Sequence, residues 1–319
     1  MLNLIKLILI NFLIFIISIV LIEIFFGYWF DKDNLGPYVR EHRLRKVNYE
    51  LNLNDENIKF IYQRNYYGFR GVDVDPGTIE AIFVGGSTTD ERYKPDEFTI
   101  VELINSELNK QDINLKIFNA GIEGQSTRGH LVNFDYWFEK IPNFKPKYII
   151  FYIGINDQWV KSELGDAADD GNLLNSDEKE VFFDNLKSRS ITYDLLRKAK
   201  HYFYTSDKTI LYDFDKGTQI WKSQNIEFLN YREFIAKNDL EAISRENFEL
   251  VSSYLNRVKK IHDRTVDFGS IPIFINQLTG EGYQNKKLAA MNYELIKFCD
   301  KNSYFCIDVS KQLDASADF

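Results

Sequence analysis

The chain has 319 residues, a formal net charge of −8 and 45% hydrophobic residues. That length suits one large domain or two ordinary ones, with ample apolar material for a core. The acidic balance lacks the basic face of nucleic-acid binders, so no nucleic-acid partner is expected.

Residues 7–30 are apolar apart from Asn11, Ser18 and Glu23. Such a run crosses a bilayer core of ~30 Å as a helix. A cleaved signal peptide has a shorter apolar region and a small-residue cleavage site, whereas this run exits through Phe25, Phe26, Gly27, Tyr28, Trp29 and Phe30. Residues 1–30 are therefore read as an uncleaved transmembrane signal anchor, with Tyr28 and Trp29 at the interface. Lys6 and the amino terminus precede the span, and Asp31, Lys32 and Asp33 come after it. The positive-inside rule then puts the rest of the chain outside the cytoplasm, on a single-pass membrane protein. Glu23 lies close enough to the exit to reach the headgroups.

Residues 31–79 are polar and aromatic with few periodic runs, a juxtamembrane segment that packs on the domain beginning near residue 80. Its basic cluster, 40–45, reads either as a contact to the membrane surface or as having no role. The segments Tyr67-Gly68-Phe69-Arg70-Gly71 and Asp75-Pro76-Gly77 read as tight turns.

Ala81-Ile82-Phe83-Val84 is an apolar run of the kind that forms a buried parallel strand. It ends in Gly85-Gly86-Ser87-Thr88-Thr89, where glycines permit a tight turn. Ser87 then stands at the strand's carboxyl end, where open α/β sheets place their ligands. The same residues also read as a plain strand-to-helix loop. A helix is expected over 96–110, with Phe98, Val101, Ile104 and Leu108 on one stripe. A second strand, 115–118, leads into Asn119-Ala120-Gly121-Ile122-Glu123-Gly124, and a helix then runs from Ser126 into the 130s. A third strand, 148–153, ends in Gly154-Ile155-Asn156-Asp157.

From 160 to 240 the pattern weakens into acidic loops and short helices near 190–204 and 228–240, an insertion beside the site. Phe248, Val251, Leu255, Val258 and Ile261 mark a long amphipathic helix. A strand at 271–275, a helix through Leu288, Met291, Leu295 and Phe298, and a strand at 304–309 complete the pattern. Cys299 and Cys306 are the two cysteines. They can form a disulfide in an oxidising compartment or be two small buried side chains.

Alternating strands and helices argue an α/β doubly wound parallel sheet of five strands. Such a sheet needs helices on both faces, and a fifth strand with no helix after it leaves one face partly bare. In a parallel sheet all carboxyl ends share one edge, so the three turns can converge. Ser87 offers a hydroxyl, Gly124 an unobstructed backbone N–H and Asn156 an amide donor, the set an acyl-transfer site uses to hold an oxyanion.

These residues resemble the three signature blocks of the SGNH, or GDSL-like, hydrolase family, in order: Gly85-Gly86-Ser87, then 119–124, then 154–157. The resemblance covers residues 80–319 and is closest to membrane-anchored bacterial members. Gly86 departs from the commoner Gly-Asp-Ser. The resemblance implies a flavodoxin-like α/β/α sandwich, Ser87 as nucleophile, and Ser87, Gly124 and Asn156 as the oxyanion hole, with no metal or cofactor. It implies an esterase or deacetylase, with O-acyl groups on surface carbohydrate as substrate. An O-acyltransferase and a non-catalytic carbohydrate- or acyl-binding protein are the alternatives. A cofactor binder of the flavodoxin kind leaves Gly124 and Asn156 without a role. The family's fourth block, Asp-x-x-His, carries the base. His42, His130, His201 and His262 do not form it, and Asp308 and Asp314 have no histidine after them. The expectation is that this block and a last helix lie beyond Phe319; a member that has lost its base is the other possibility.

Overall fold

A computed structural model of the chain describes residues 2–30, 46–53, 56–160, 186–187, 189–196, 199, 210–213, 231–279 and 285–313. Helix α1, Leu2–Phe26, is apolar all round, and its described side chains are mostly exposed to the surroundings rather than packed on the rest of the molecule. It is long and apolar enough to cross a membrane.

Strands β1, Lys46–Leu53, and β2, Glu56–Gln63, form an antiparallel hairpin in the segment expected to lack periodic structure. The strand signal is present in β1, where Val47, Tyr49, Leu51 and Leu53 alternate with Asn48, Glu50 and Asn52, and the sequence reading passed over it. Tyr49, Leu51 and Tyr62 turn to the interior and are buried.

The main sheet is built from β3, Ala81–Gly85; β4, Ile117–Asn119; β5, Tyr148–Ile153; β7, Ile271–Asn276; and β8, Phe305–Ile307. The intervening β6, Ile210–Asp213, instead joins the hairpin, parallel to β1. The main sheet has the order β4-β3-β5-β7-β8 with every pair parallel. Counted within the sheet this is 2-1-3-4-5, the flavodoxin-like doubly wound order. The expected α/β class and five-stranded parallel sheet are thus observed.

The helices are α2, Ser87–Asp90; α3, Ile100–Lys110; α4, Thr127–Tyr136; α5, Tyr231–Lys237; α6, Leu240–Glu246; α7, Phe248–Asp267; and α8, Lys286–Asn302. The helix expected from residue 96 starts later, because the Thr99 side chain caps it by accepting from the Glu102 N–H. Phe98 falls in a preceding 3-10 turn and is exposed rather than on the core stripe. Phe248, at the first position of α7, is likewise exposed, while Val251, Val258 and Ile261 are buried as the stripe requires.

One sheet face carries the large core, with Ile82, Val84, Phe151 and Phe274 packed under α4, α7 and α8. The opposite face is covered among the described residues by α3, through Val101, Ile104 and Leu108. The cross-strand row Phe83, Ile150, Ile273, Phe305 therefore runs from 1% exposed at Phe83 to 66% at Phe305. The expected bare face is present there. Cys299 and Cys306 are joined in a disulfide that staples α8 to β8, with Cα atoms 6.2 Å apart. Of the two readings of these cysteines, the bonded one holds.

Candidate functional site

Strand β3 emerges between β4 and β5, where the chain reverses the direction in which it adds strands. This is the crevice in which doubly wound sheets bind ligands. Ser87 is the first residue of α2 and is exposed, whereas all five residues of β3 are buried. Its N–H and hydroxyl engage no partner among the described residues.

The neighbouring turns close around it. Asn156 opens a 3-10 turn at the end of β5. Its Nδ2 donates to the Gln125 carbonyl, 2.8 Å away, and lies so close to the Gly86 Cα that a side chain at position 86 would overlap it. A side chain at position 86 would therefore have to displace the Asn156 amide. The second turn is anchored by the Ile122 N–H, which donates to the Gly85 carbonyl at 2.9 Å. Gly124 sits at φ +80°, a conformation that favours glycine. Its N–H is also unengaged among the described residues. The structure thus brings the turns bearing Ser87, Gly124 and Asn156 to one edge, as expected.

Gln277 and Arg257, which the sequence did not single out, and Asp157 of the third turn hold these turns. Gln277, just past β7, accepts from the Ile155 N–H at 2.8 Å and donates to Thr88 Oγ1 at 2.8 Å. One side chain thereby links the Ser87 turn to the Asn156 turn. Asp157 is buried and accepts from the Thr127 N–H and hydroxyl and from Arg257 Nη2 at 3.2 Å. It pins the Asn156 turn to the start of α4 and to α7.

A second buried cluster braces α2. Asp90 Oδ1 accepts from Tyr62 Oη and Arg64 Nη2, each at 2.7 Å. Arg64 also donates to the carbonyls of Gly68 and Gly121. Arg70 donates to the Asp90, Glu91 and Lys94 carbonyls and pairs with Asp96 at 2.8 Å. The hairpin and the Tyr-Gly-Phe-Arg-Gly turn thus supply two buried arginines that fix the helix carrying Ser87. The glycine turn at 68–71 was the available signal; the arginines' destination was not.

No histidine among the described residues is available to Ser87. His130 is buried on α4, with Nδ1 3.2 Å from Gln125 Oε1, and burial pushes its pKa down to about 3. His262 stacks on Tyr304 at 3.6 Å, near the end of α7 that leads to the opposite edge of the sheet. His42, His201 and Asp314, with the basic cluster 40–45 and the acidic loops of 160–240, lie outside the described residues. Asp308 accepts from Asn276 Nδ2 and the Ser310 hydroxyl and pairs with Lys311 at 2.9 Å. No group of three or more histidine, cysteine or acidic residues among the described residues is arranged for a metal.

No family model matches the chain, and no curated protein matches it. It is similar to solved structures. An acetylxylan esterase from Geobacillus stearothermophilus is 14% identical with a TM-score of 0.38, covering 75% of this chain and 83% of that one. An α/β hydrolase from the metagenome of Lake Arreo, Spain, is 13% identical with a TM-score of 0.36, covering 74% and 80%. An acetyl xylan esterase, AlAXEase, is 12% identical with a TM-score of 0.39, covering 73% and 79%. Likeness at this level does not extend to activity.

Proposed function

We propose that the chain is a membrane-anchored serine hydrolase of the SGNH type, cleaving carboxylic esters, with O-acetyl or O-acyl groups on a carbohydrate as the substrate class. One observation carries this reading. An exposed serine stands at the carboxyl end of a central strand, beside an amide donor and a glycine turn. Among the described residues, neither its hydroxyl nor the glycine N–H is engaged. Ser87 Oγ attacks the ester carbonyl, the ester C–O bond breaks, and the alcohol leaves carrying the proton that the serine hydroxyl gives up. The N–H groups of Ser87 and Gly124 and the Asn156 amide receive the oxyanion, and water then releases the acyl group. A sugar hydroxyl in place of water gives acyl transfer from the same intermediate. The disulfide between Cys299 and Cys306 suits an oxidising compartment, and a location outside the cytoplasm puts acylated surface polysaccharide within reach.

The second reading, a binding protein with the same crevice, is favoured by one feature: none of the four histidines of this sequence forms an Asp-x-x-His block. A serine without its base retains only residual catalysis from binding and oxyanion donors. A fluorophosphonate probe on the full-length protein separates the two. Rapid labelling that disappears in Ser87→Ala supports the hydrolase. Absence of labelling, with retained binding of acylated oligosaccharide, supports the binding protein.

A further inference from the structure

Glu23 is an acidic residue inside an otherwise apolar run, three positions before the end of α1. Such a carboxylate is costly near hydrocarbon unless it is satisfied. Here it is satisfied by a part of the chain more than 160 residues away. Glu23 Oε1 accepts from the Ser190 hydroxyl at 2.6 Å and the Thr192 N–H at 3.0 Å. Oε2 accepts from the Ile191 N–H at 3.2 Å and from Trp29 Nε1 at 2.9 Å. The Tyr28 N–H donates to the Arg189 carbonyl at 2.9 Å, so the α1 exit runs alongside the same segment.

Residues 191–196 are helical, and the start of a helix leaves its first N–H groups without intrahelical partners. Glu23 takes those of Ile191 and Thr192. The Ser190 hydroxyl takes that of Tyr193 at 3.0 Å. The anchor's carboxylate is therefore the cap of this helix, and the helix must sit at the depth of Glu23. A bilayer core of ~30 Å accommodates about 20 helical residues, so a span counted from Ile5 leaves the core within about a turn of Glu23. At that depth the short helix turns Asp194 inward, 2% exposed, while Tyr193, Leu195 and Leu196 are 41%, 54% and 66% exposed. Apolar side chains beside a polar inner face are what an interfacial helix presents to the headgroup–acyl boundary.

We propose that residues 190–196 form a second membrane contact, seated in the lipid interface and held there by the Glu23 cap, which fixes how the α/β domain stands over the bilayer. This rests on the reading of α1 as a membrane anchor. Its occupant is lipid, because the contact is continuous with the α1 exit through the hydrogen bonds of Glu23 and Tyr28.

The test uses the full chain in phosphatidylcholine–phosphatidylglycerol nanodiscs, with single cysteines carrying an environment-sensitive fluorophore at Leu196→Cys, at Phe15→Cys in mid-span and at Leu103→Cys on the exposed side of α3. The expected result is that the Leu196 label loses quenching by aqueous iodide and gains quenching by lipids spin-labelled near the headgroup, while the Leu103 label does the reverse. Adding Glu23→Ala restores iodide quenching at Leu196 and leaves the Phe15 label quenched by lipid. A Leu196 label quenched by iodide as Leu103 is, with Phe15 still in lipid, overturns the contact and leaves the anchor standing. A label shielded from both quenchers is covered by protein, which also overturns it. Protection at Leu196 that survives Glu23→Ala overturns the role of the cap. A Phe15 label outside the lipid defeats the anchor reading itself, and the contact with it.

Discussion

Replacing Arg64 by methionine tests whether the helix that carries Ser87 is braced from the hairpin. The side chains of Arg64 and Asp90 are each 1% exposed, so Arg64→Met leaves a buried carboxylate without its main counter-charge. Breaking a buried pair from one side costs about 3–5 kcal/mol. Asp90 keeps the Tyr62 hydroxyl at 2.7 Å and a looser ion pair with Arg92 at 3.7 Å, which sets the expectation at the lower end, ~3 kcal/mol. At about 2–4 °C per kcal/mol for a domain of this size, the thermal midpoint should fall by roughly 6–12 °C. Intrinsic fluorescence of the full-length protein, at one scan rate, reads this. Adding Asp90→Asn removes the stranded charge and should recover about 0.5–3 kcal/mol as a coupling energy. Because α2 carries Ser87, labelling by a fluorophosphonate should slow in the single variant at temperatures where it stays folded. A loss of only about 0.5 kcal/mol, the size of an ordinary surface change, with no recovery in the double variant, would refute the brace.

Asn156→Ala should lower ester hydrolysis by about 10²–10³ with little change in KM, as expected for a donor used in the transition state; an equal loss carried by KM alone would remove Asn156 from the oxyanion site. Gly86→Ala should impair the same step by displacing the Asn156 amide, and normal turnover in that variant would show that the close approach is not needed. The His130 pKa, depressed from 6.5 to about 3 by burial, makes the folded state resist a proton that the unfolded chain accepts. Stability from this group is therefore complete above pH 6.5 and declines as the pH falls towards 3, by ~2 kcal/mol at about pH 5. Denaturant titrations of the wild type and His130→Gln at neutral pH and at about pH 5 should show that slope in the wild type alone, and parallel slopes would contradict it. Reducing the disulfide, or the double Cys299→Ser and Cys306→Ser change, should cost about 2–3 kcal/mol for so short a loop; an unchanged midpoint under reductant would mean the crosslink restrains little.

Much of the architecture was legible because burial leaves a local trace. Strands β3 and β5 are central in a sheet covered on the side of the large core, so they read as continuous apolar runs in the sequence. Their glycine ends mark where the chain leaves the sheet. The hairpin was missed although Val47, Tyr49, Leu51 and Leu53 alternate with Asn48, Glu50 and Asn52; what the local pattern did not show is that Tyr49, Leu51 and Tyr62 find their burial against the α/β domain. Gln277 carried no signal at all: it comes after a strand, among polar residues, and its importance arises from two turns that lie 122 and 189 positions away in the chain. Asp157 and Glu23 stood out in the sequence, one in the third turn and one in the apolar run, but their partners Arg257 and Ser190 did not.

Local pattern was enough for the class of sheet, the order of its strands along the chain, the long apolar helix α1 and the three turns that bear Ser87, Gly124 and Asn156. These depend on runs, periodicities and glycines, which act on neighbouring residues. What holds the turns together emerged only on folding, since a buried polar group is satisfied by whichever partner the fold delivers, however distant in the chain. The same applies to the fit of the Asn156 amide against Gly86, the joining of the hairpin to β6 and the capping of a distant helix by Glu23. Each is a pairing in space, and pairing in space leaves no period to read.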